Sequence, residues 1–178
     1  MHSEHFTNRQ LTTLPDIDAL TFSPLSPWYA KLNLLLNLSL FLFLLLITLV
    51  LTWQQWFSLP TLITSNLDNA RFFLTLTAAV LPPYWYAADK RKGYALREHD
   101  LSYRSGLLFI STVTQPVLRI QHVELKRGPI ERRAGLASLQ VFSAGGAMHT
   151  FAIPGLPLAT AKGIRRFILE HKDIVEND

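Results

Sequence analysis

The feature that most restricts how this chain folds is a long stretch without charge. No Asp, Glu, Lys or Arg occurs between Lys31 and Asp68, and the residues from Leu32 to Trp53 are nearly all apolar. As a helix rising about 1.5 Å per residue, that segment reaches about 33 Å, enough for a hydrocarbon core of about 30 Å. Its apolar side chains point in every direction, and the rest of the chain is too small to bury it as a soluble core would. The sequence therefore predicts a membrane-spanning helix.

A second, less apolar segment at Leu67–Ala88 predicts a return crossing. Asn66 is placed to cap this helix, and Asp68 and Arg71 are spaced to form an ion pair near its start. Pro82-Pro83 should kink or end the helix. The alternative is a segment that dips into the membrane interface and returns to the same side.

Basic residues beside these segments predict the orientation. Lys90, Arg91 and Lys92 directly follow the second segment, whereas the connection Gln54–Asn66 contains no Lys or Arg. The positive-inside rule therefore predicts that both termini are cytoplasmic. The expected division is a cytoplasmic N-terminal tail at 1–31, a two-helix transmembrane hairpin at 32–88 and a domain at 93–178. The polar start of the chain does not resemble a cleaved signal sequence.

After Gly93 the pattern changes to short alternating runs separated by turns, which predicts antiparallel strands. A slip in the alternation near Gln121-His122 predicts a bulge or a corner. Helical spacing then predicts a closing amphipathic helix from near Leu158 to near Lys172 that covers the open end of the sheet. The predicted strands lie at Tyr94–Leu96, Leu101–Tyr103, Leu107–Val117, Leu118–Leu125, Leu139–Val141 and Phe151–Ile153.

Four segments of this region resemble a known family. YALREHDLSYRSGLL, VLRIQHVELKRGPIERRAGLASLQV, SAGG and AIPGLPLATAKGIRRFI are similar to the bacterial pleckstrin-homology-like (membrane-flanked) domain of the YdbS family of small membrane proteins. The resemblance implies a transmembrane hairpin followed by an α+β split β-barrel capped by a C-terminal helix. It also implies that the partner is a larger membrane protein bearing related domains. It brings no catalytic residues, and it leaves the first thirty residues outside the comparison.

Signs of catalysis or metal binding are scarce. The chain has no cysteine, which excludes disulfides and cysteine-based metal sites. His2 and His5 are the one histidine pair with short spacing, no G-x-S-x-G motif is present, and Ser143–Gly146 has the composition of a turn. We expect no enzymatic activity, no cofactor and no metal.

The positive charge is concentrated in one part of the chain. Residues Asp89–Arg133 include ten basic and five acidic residues, a net charge of +5 against +4 for the whole chain. One hypothesis is that basic loops dock the domain on anionic lipid or sense membrane stress. Another is that the chain is a scaffold or accessory subunit that binds a membrane protein or its own copies, while nucleic-acid binding is not expected. The alternatives without a binding role are that Lys90–Lys92 is only a topology signal and that Lys126–Arg133 is an ordinary solvated surface. The candidate contact residues are Lys90, Arg91, Lys92, Lys126, Arg127, Arg132 and Arg133.

Overall fold

The computed structural model describes residues 20–54, 60–143 and 151–176. Two long helices are followed by two antiparallel sheets and a closing helix. The helices are α1 (Pro27–Trp53), α2 (Thr61–Arg91), α3 (Pro129–Arg133) and α4 (Leu158–Glu176). The strands are β1 (Ser23–Pro24), β2 (Gly93–Leu96), β3 (Asp100–Ser105), β4 (Ser111–Pro116), β5 (Ile120–Lys126), β6 (Leu136–Ser143) and β7 (Phe151–Pro157), with a 3-10 turn at Val117–Arg119.

The two long helices pack side by side in opposite directions. Asn33 near the start of α1 donates to Asp89 near the end of α2 at 2.8 Å. At the other end, Arg71 of α2 donates to the Thr48 carbonyl at 3.2 Å and also bonds the Thr52 hydroxyl. The predicted ion pair between Arg71 and Asp68 is confirmed at 3.0 Å.

The ends of α2 differ from the predictions. Asn66 lies inside the helix and does not cap it, because α2 begins at Thr61 with Pro60 at the N-cap. The helix also does not end at Pro82-Pro83, since it continues to Arg91. Each proline removes one backbone donor, but buried Pro82 and the packing of α1 alongside keep the chain helical.

The strands form two sheets, in the orders β1-β2-β3-β4 and β5-β6-β7, and every neighbouring pair is antiparallel. The predicted bulge is confirmed as a register shift between Ile120 and His122. The predicted strand at Leu107–Val117 is too long, because the chain loops as far as Ile110 before β4 begins. Leu118 was predicted to share a face with Ile120, but it is exposed on the 3-10 turn.

The described part of the predicted tail belongs to the folded domain. Ser23 pairs with Tyr94 and Pro24 with Gly93, so β1 extends the first sheet, and Leu25 is buried in the core. A strand of two residues has no alternation for a pattern to detect, which explains why β1 was not predicted.

The core lies between the two sheets and the last helix. Leu101 of β3 and Val141 of β6 are fully buried in one cluster with Ala161, Ile164 and Ile168 of α4. These three positions repeat at the spacing of one helix face. The predicted closing helix is therefore confirmed, and it begins at Leu158 as expected.

Candidate functional site

The junction between α2 and the sheets is organised around a buried carboxylate. Asp89 is 7% exposed and accepts hydrogen bonds from Asn33 at 2.8 Å and from the Lys92 ammonium at 2.7 Å. The ammonium also lies 3.4 Å from the Tyr29 hydroxyl and 5.3 Å from the centre of its ring. The two long helices and Lys92, the residue that caps α2, thus meet in one polar network, in which a buried charge is paired as burial requires.

The pKa of Lys92 is raised above its ordinary value of 10.5. Burial acts to lower it, but the hydrogen bond that the ammonium donates to Asp89 and the surrounding charges outweigh burial. Burial also raises the pKa of Tyr103, which lies on β3, above its ordinary value of 10.0. At neutral pH Lys92 is therefore charged and Tyr103 is neutral.

The start of α1 is fixed to the second sheet. The Ser26 amide donates to the Gly155 carbonyl of β7 at 3.2 Å. Gly155 has a φ of +64°, and a Cβ at this position would lie 2.2 Å from the Tyr29 ring. Only glycine combines this backbone conformation with such a close contact. Because β1 simultaneously pairs with β2, the short segment before α1 touches both sheets.

Beside this junction lies a basic cleft of about 390 Å³, at the point where α2 joins β2. Of the predicted contact residues, Lys90, Arg91 and Lys92 line it. Arg104 of β3 also lines it and lies over the ring of Phe22 at 4.5 Å. The described lining contains four basic residues and no acidic one; its other members are Phe22, Pro24, Gly93, Gly106 and Ile110.

Three of the four cationic groups are available to a ligand. Lys90, Arg91 and Arg104 are exposed, and within the described residues none of them forms an ion pair. Lys90 lies 5.5 Å from the centre of the Tyr86 ring, a contact that leaves its charge unneutralised. Lys92 differs because its charge is already paired with Asp89. The cleft is suited to an anion, which three exposed cations attract.

The other predicted residues do not line the cleft. Arg127 donates to the Leu136 carbonyl at 2.9 Å and to the Arg132 carbonyl at 3.3 Å, so it stabilises the turn around α3. Lys126, Arg132 and Arg133 are exposed on the surface. The structure thus divides the seven predicted residues into a cleft and a separate surface group.

Arg104 was not among the predicted residues. The register pairs it with Gly93, the first residue after the basic run, and this cross-strand pairing brings the charges together. The alternation of β3 around buried Tyr103 was visible in the sequence, so a surface position for Arg104 was predictable, but its strand partner was not.

Some predictions fall outside the described residues. His2, His5 and residues 144–146 of the predicted turn are among them. Within residues 20–54, 60–143 and 151–176, no group of three His, Asp or Glu side chains is placed to hold a metal ion.

The family model for the bacterial PH domain matches residues 12–172. The chain belongs to the bacterial PH domain family. The domain of two sheets and a C-terminal helix, predicted from the resemblance, is thereby confirmed as PH-like. The matched range also includes part of the predicted tail, in agreement with the position of β1.

Two individual proteins are similar to this PH-domain chain. The UPF0699 transmembrane protein YdbS of Bacillus subtilis (strain 168) is 28% identical over 85 residues, which are 48% of this chain. The chain matches 52% of that protein, about half its length. The crystal structure of a DUF1696 family protein with a pleckstrin-homology domain from Shewanella loihica PV-4 has a TM-score of 0.38 and 15% identity, over 46% of this chain and 71% of that chain.

Proposed function

We propose that this chain is a non-enzymatic, membrane-anchored PH-like module that docks on anionic lipid headgroups at the cytoplasmic face of the bacterial inner membrane. The observation that carries the proposal is the basic cleft, where three exposed cations converge without an acidic residue in the described lining. An anionic leaflet attracts each nearby basic side chain by about 1 kcal/mol. The phosphate of an anionic lipid has the matching charge.

The long helices support anchoring in the membrane. Among the described residues one helix, α1, is long and apolar enough to cross a bilayer. Leu35, Leu42 and Phe43 of α1, with Phe72 and Phe73 of α2, are large apolar residues exposed on the pair of helices. An apolar surface of this extent is covered by lipid or by another protein. The fixed charges Asp68 and Arg71 of α2 pair with each other, which lowers the cost of placing α2 in a membrane.

The position of the cleft along α2 supports headgroup binding. Trp85 and Tyr86 precede the basic run by about one turn, and aromatic side chains of this kind concentrate at the headgroup level of a membrane. At about 1.5 Å per residue, Arg91 lies roughly 9 Å along the helix from Trp85. The cleft is therefore at the depth of lipid phosphates if α2 crosses the bilayer as proposed.

The test is lipid selectivity of the full-length protein. The whole chain is required because β1 and Leu25 precede the hairpin and still belong to the folded domain. We expect native mass spectrometry of detergent-solubilised protein, offered equal amounts of phosphatidylglycerol and phosphatidylcholine, to show preferential binding of phosphatidylglycerol. Replacing Lys90 and Arg104 together by Gln should weaken that binding about 30-fold, from about 1 kcal/mol per lost charge.

The matched control removes the same charge elsewhere. Lys126 and Arg133 are exposed but do not line the cleft, so their double replacement by Gln should leave phosphatidylglycerol binding unchanged. An equal loss in both double variants would show general charge attraction without a site. A wild-type protein without preference at physiological salt would overturn the proposal.

The scaffold or accessory role stays a prediction. It rests on pairing of the long helices or of an exposed sheet edge with a partner. The resemblance implies that this partner is a membrane protein with related domains, and a second copy of the chain is the other partner predicted. Because the chain spans about half the length of the curated relative that it matches, the assembly of a longer protein does not transfer to it directly. Headgroup binding is the function for which the described residues supply a site.

A further inference from the structure

The loop between β3 and β4 exposes a run of large apolar side chains. Leu108 is 74% exposed, Phe109 91% and Ile110 62%. Single exposed apolar residues are ordinary on soluble surfaces, but three consecutive ones mark an interaction site. The segment from Leu107 to Ile110 contains no charge. We call it the apolar loop.

The apolar loop has a defined shape. Gly106 at its base has a φ of +107°, a conformation that disfavours side chains, and a Cβ there would lie 1.9 Å from the Phe109 carbonyl oxygen. The loop therefore folds back tightly over the glycine and presents its side chains outwards. Leu108, Phe109 and Ile110 are exposed in this conformation and are not part of the buried core.

Strand register places the apolar loop at the end of the first sheet where α2 joins β2. Gly93 follows the end of α2 directly and pairs with Arg104. The chain of β3 then continues past Gly93 towards α2, and Ser105 pairs with Ser111 across the base of the loop. Gly106 and Ile110 also line the basic cleft. The loop and the cleft are thus continuous, at the end of the sheet where α2 enters.

We propose that the apolar loop inserts into the interfacial region of the same leaflet whose headgroups occupy the cleft. This inference rests on the proposed function, because it requires the hairpin to be in the membrane. The arrangement joins apolar side chains for the acyl boundary to cations for the phosphates, as in other segments that lie within a membrane surface. Insertion holds the domain at a second point besides the hairpin and thereby fixes its tilt.

A single label tests insertion cleanly because the chain has no cysteine. Phe109→Cys, labelled with an environment-sensitive NBD fluorophore, alters a side chain that is 91% exposed and leaves the core intact. In full-length protein reconstituted into nanodiscs containing phosphatidylglycerol, we expect emission at shorter wavelength than in unfolded protein. Nitroxide groups on the lipid acyl chains should quench that emission.

The control is Leu118→Cys with the same label. Leu118 is also exposed, at 63%, but lies just beyond the opposite end of β4. At about 3.3 Å per residue, the strand separates the two positions by more than about 15 Å. The label at Leu118 should emit as in water and escape quenching. Equal emission and quenching at both positions would overturn the inference.

Other outcomes separate this inference from the proposed function. If the label at position 109 emits as in water while the protein still prefers phosphatidylglycerol, insertion is contradicted and headgroup docking is not. Loss of selectivity together with a quenched label contradicts docking and leaves insertion standing. A third outcome is emission at shorter wavelength that the lipid nitroxides do not quench. If this wavelength shift grows with the number of protein copies per nanodisc, the label contacts another copy of the protein, which also overturns insertion.

Discussion

Asp89 is a buried carboxylate at the junction of the hairpin and the sheets, and its two oxygens receive donors from different directions. Asn33 donates from α1, and Lys92 donates from the C-cap position of α2. Removing one partner of a buried pair leaves a charge without compensation, which costs more than the pair itself contributes. The stability of the junction should therefore depend on Lys92 being charged.

Lys92→Gln tests this dependence through pH. Because the folded protein raises the pKa of Lys92 above 10.5, the stabilisation is fully present below about pH 10.5 and is lost as pH rises through the folded value. We expect the variant to have a lower melting temperature than wild type from pH 7 to 9. The difference between the two proteins should shrink above pH 10.5.

The measurement is differential scanning fluorimetry of detergent-solubilised protein across that pH range. Lys126→Gln is the control, since Lys126 is 61% exposed and its nearest carboxylate oxygen, of Glu124, is 3.8 Å away. It should change the melting temperature little. A difference between wild type and Lys92→Gln that stays constant to pH 11 contradicts the assignment of this stabilisation to the charged ammonium.

At the scale of elements, the contact between α1 and β7 depends on Gly155. Gly155→Ala adds a methyl group where the Tyr29 ring already lies and forces a side chain into a φ of +64°. We expect a loss of about 1–3 kcal/mol in the free energy of unfolding. The same detergent-solubilised unfolding experiment measures it.

Gly163→Ala is the matched control for the same chemical change. Gly163 lies within α4, and no atom is within 4 Å of the position that its Cβ would take. Alanine there should stabilise the helix by about 0.5–1 kcal/mol. If Gly155→Ala unfolds with the same free energy as wild type or a larger one, the packing of Tyr29 on Gly155 does not hold α1 to the sheet.

These elements also show what the sequence reveals and what it leaves out. Local periodicity predicted the closing helix from near Leu158, although α4 runs on to Glu176, and it predicted the irregularity near His122, because both depend on neighbouring residues. It missed β1 and the role of Arg104, because both depend on pairing with strands far along the chain. The candidate site was therefore predicted in part: the basic run Lys90–Lys92 was evident in the sequence, but the contribution of Arg104 from β3 was not.

At the scale of the whole molecule, the first sheet constrains how the helices are placed in a membrane. Ser23 precedes α1 and pairs with Tyr94, which follows α2, so both lie on one side of any bilayer. A chain that crosses through α1 and still forms this pair must return. The helix placed to return is α2, even though its charges and prolines make it the less apolar helix.

Two crossings with both termini in the cytoplasm predict the labelling pattern of single cysteines in spheroplasts. Gln54→Cys lies at the end of α1 and should react with a membrane-impermeant maleimide in intact spheroplasts, whereas Leu169→Cys on α4 should react only after permeabilisation. The positive-inside rule fixes the direction, and the β1–β2 pair requires the even number of crossings. Labelling of Leu169→Cys in intact spheroplasts would show that the orientation is the reverse of the predicted one and that the basic cleft faces the opposite leaflet. Labelling of both positions before permeabilisation would show that the helices do not cross, and docking on the cytoplasmic leaflet would fail with them.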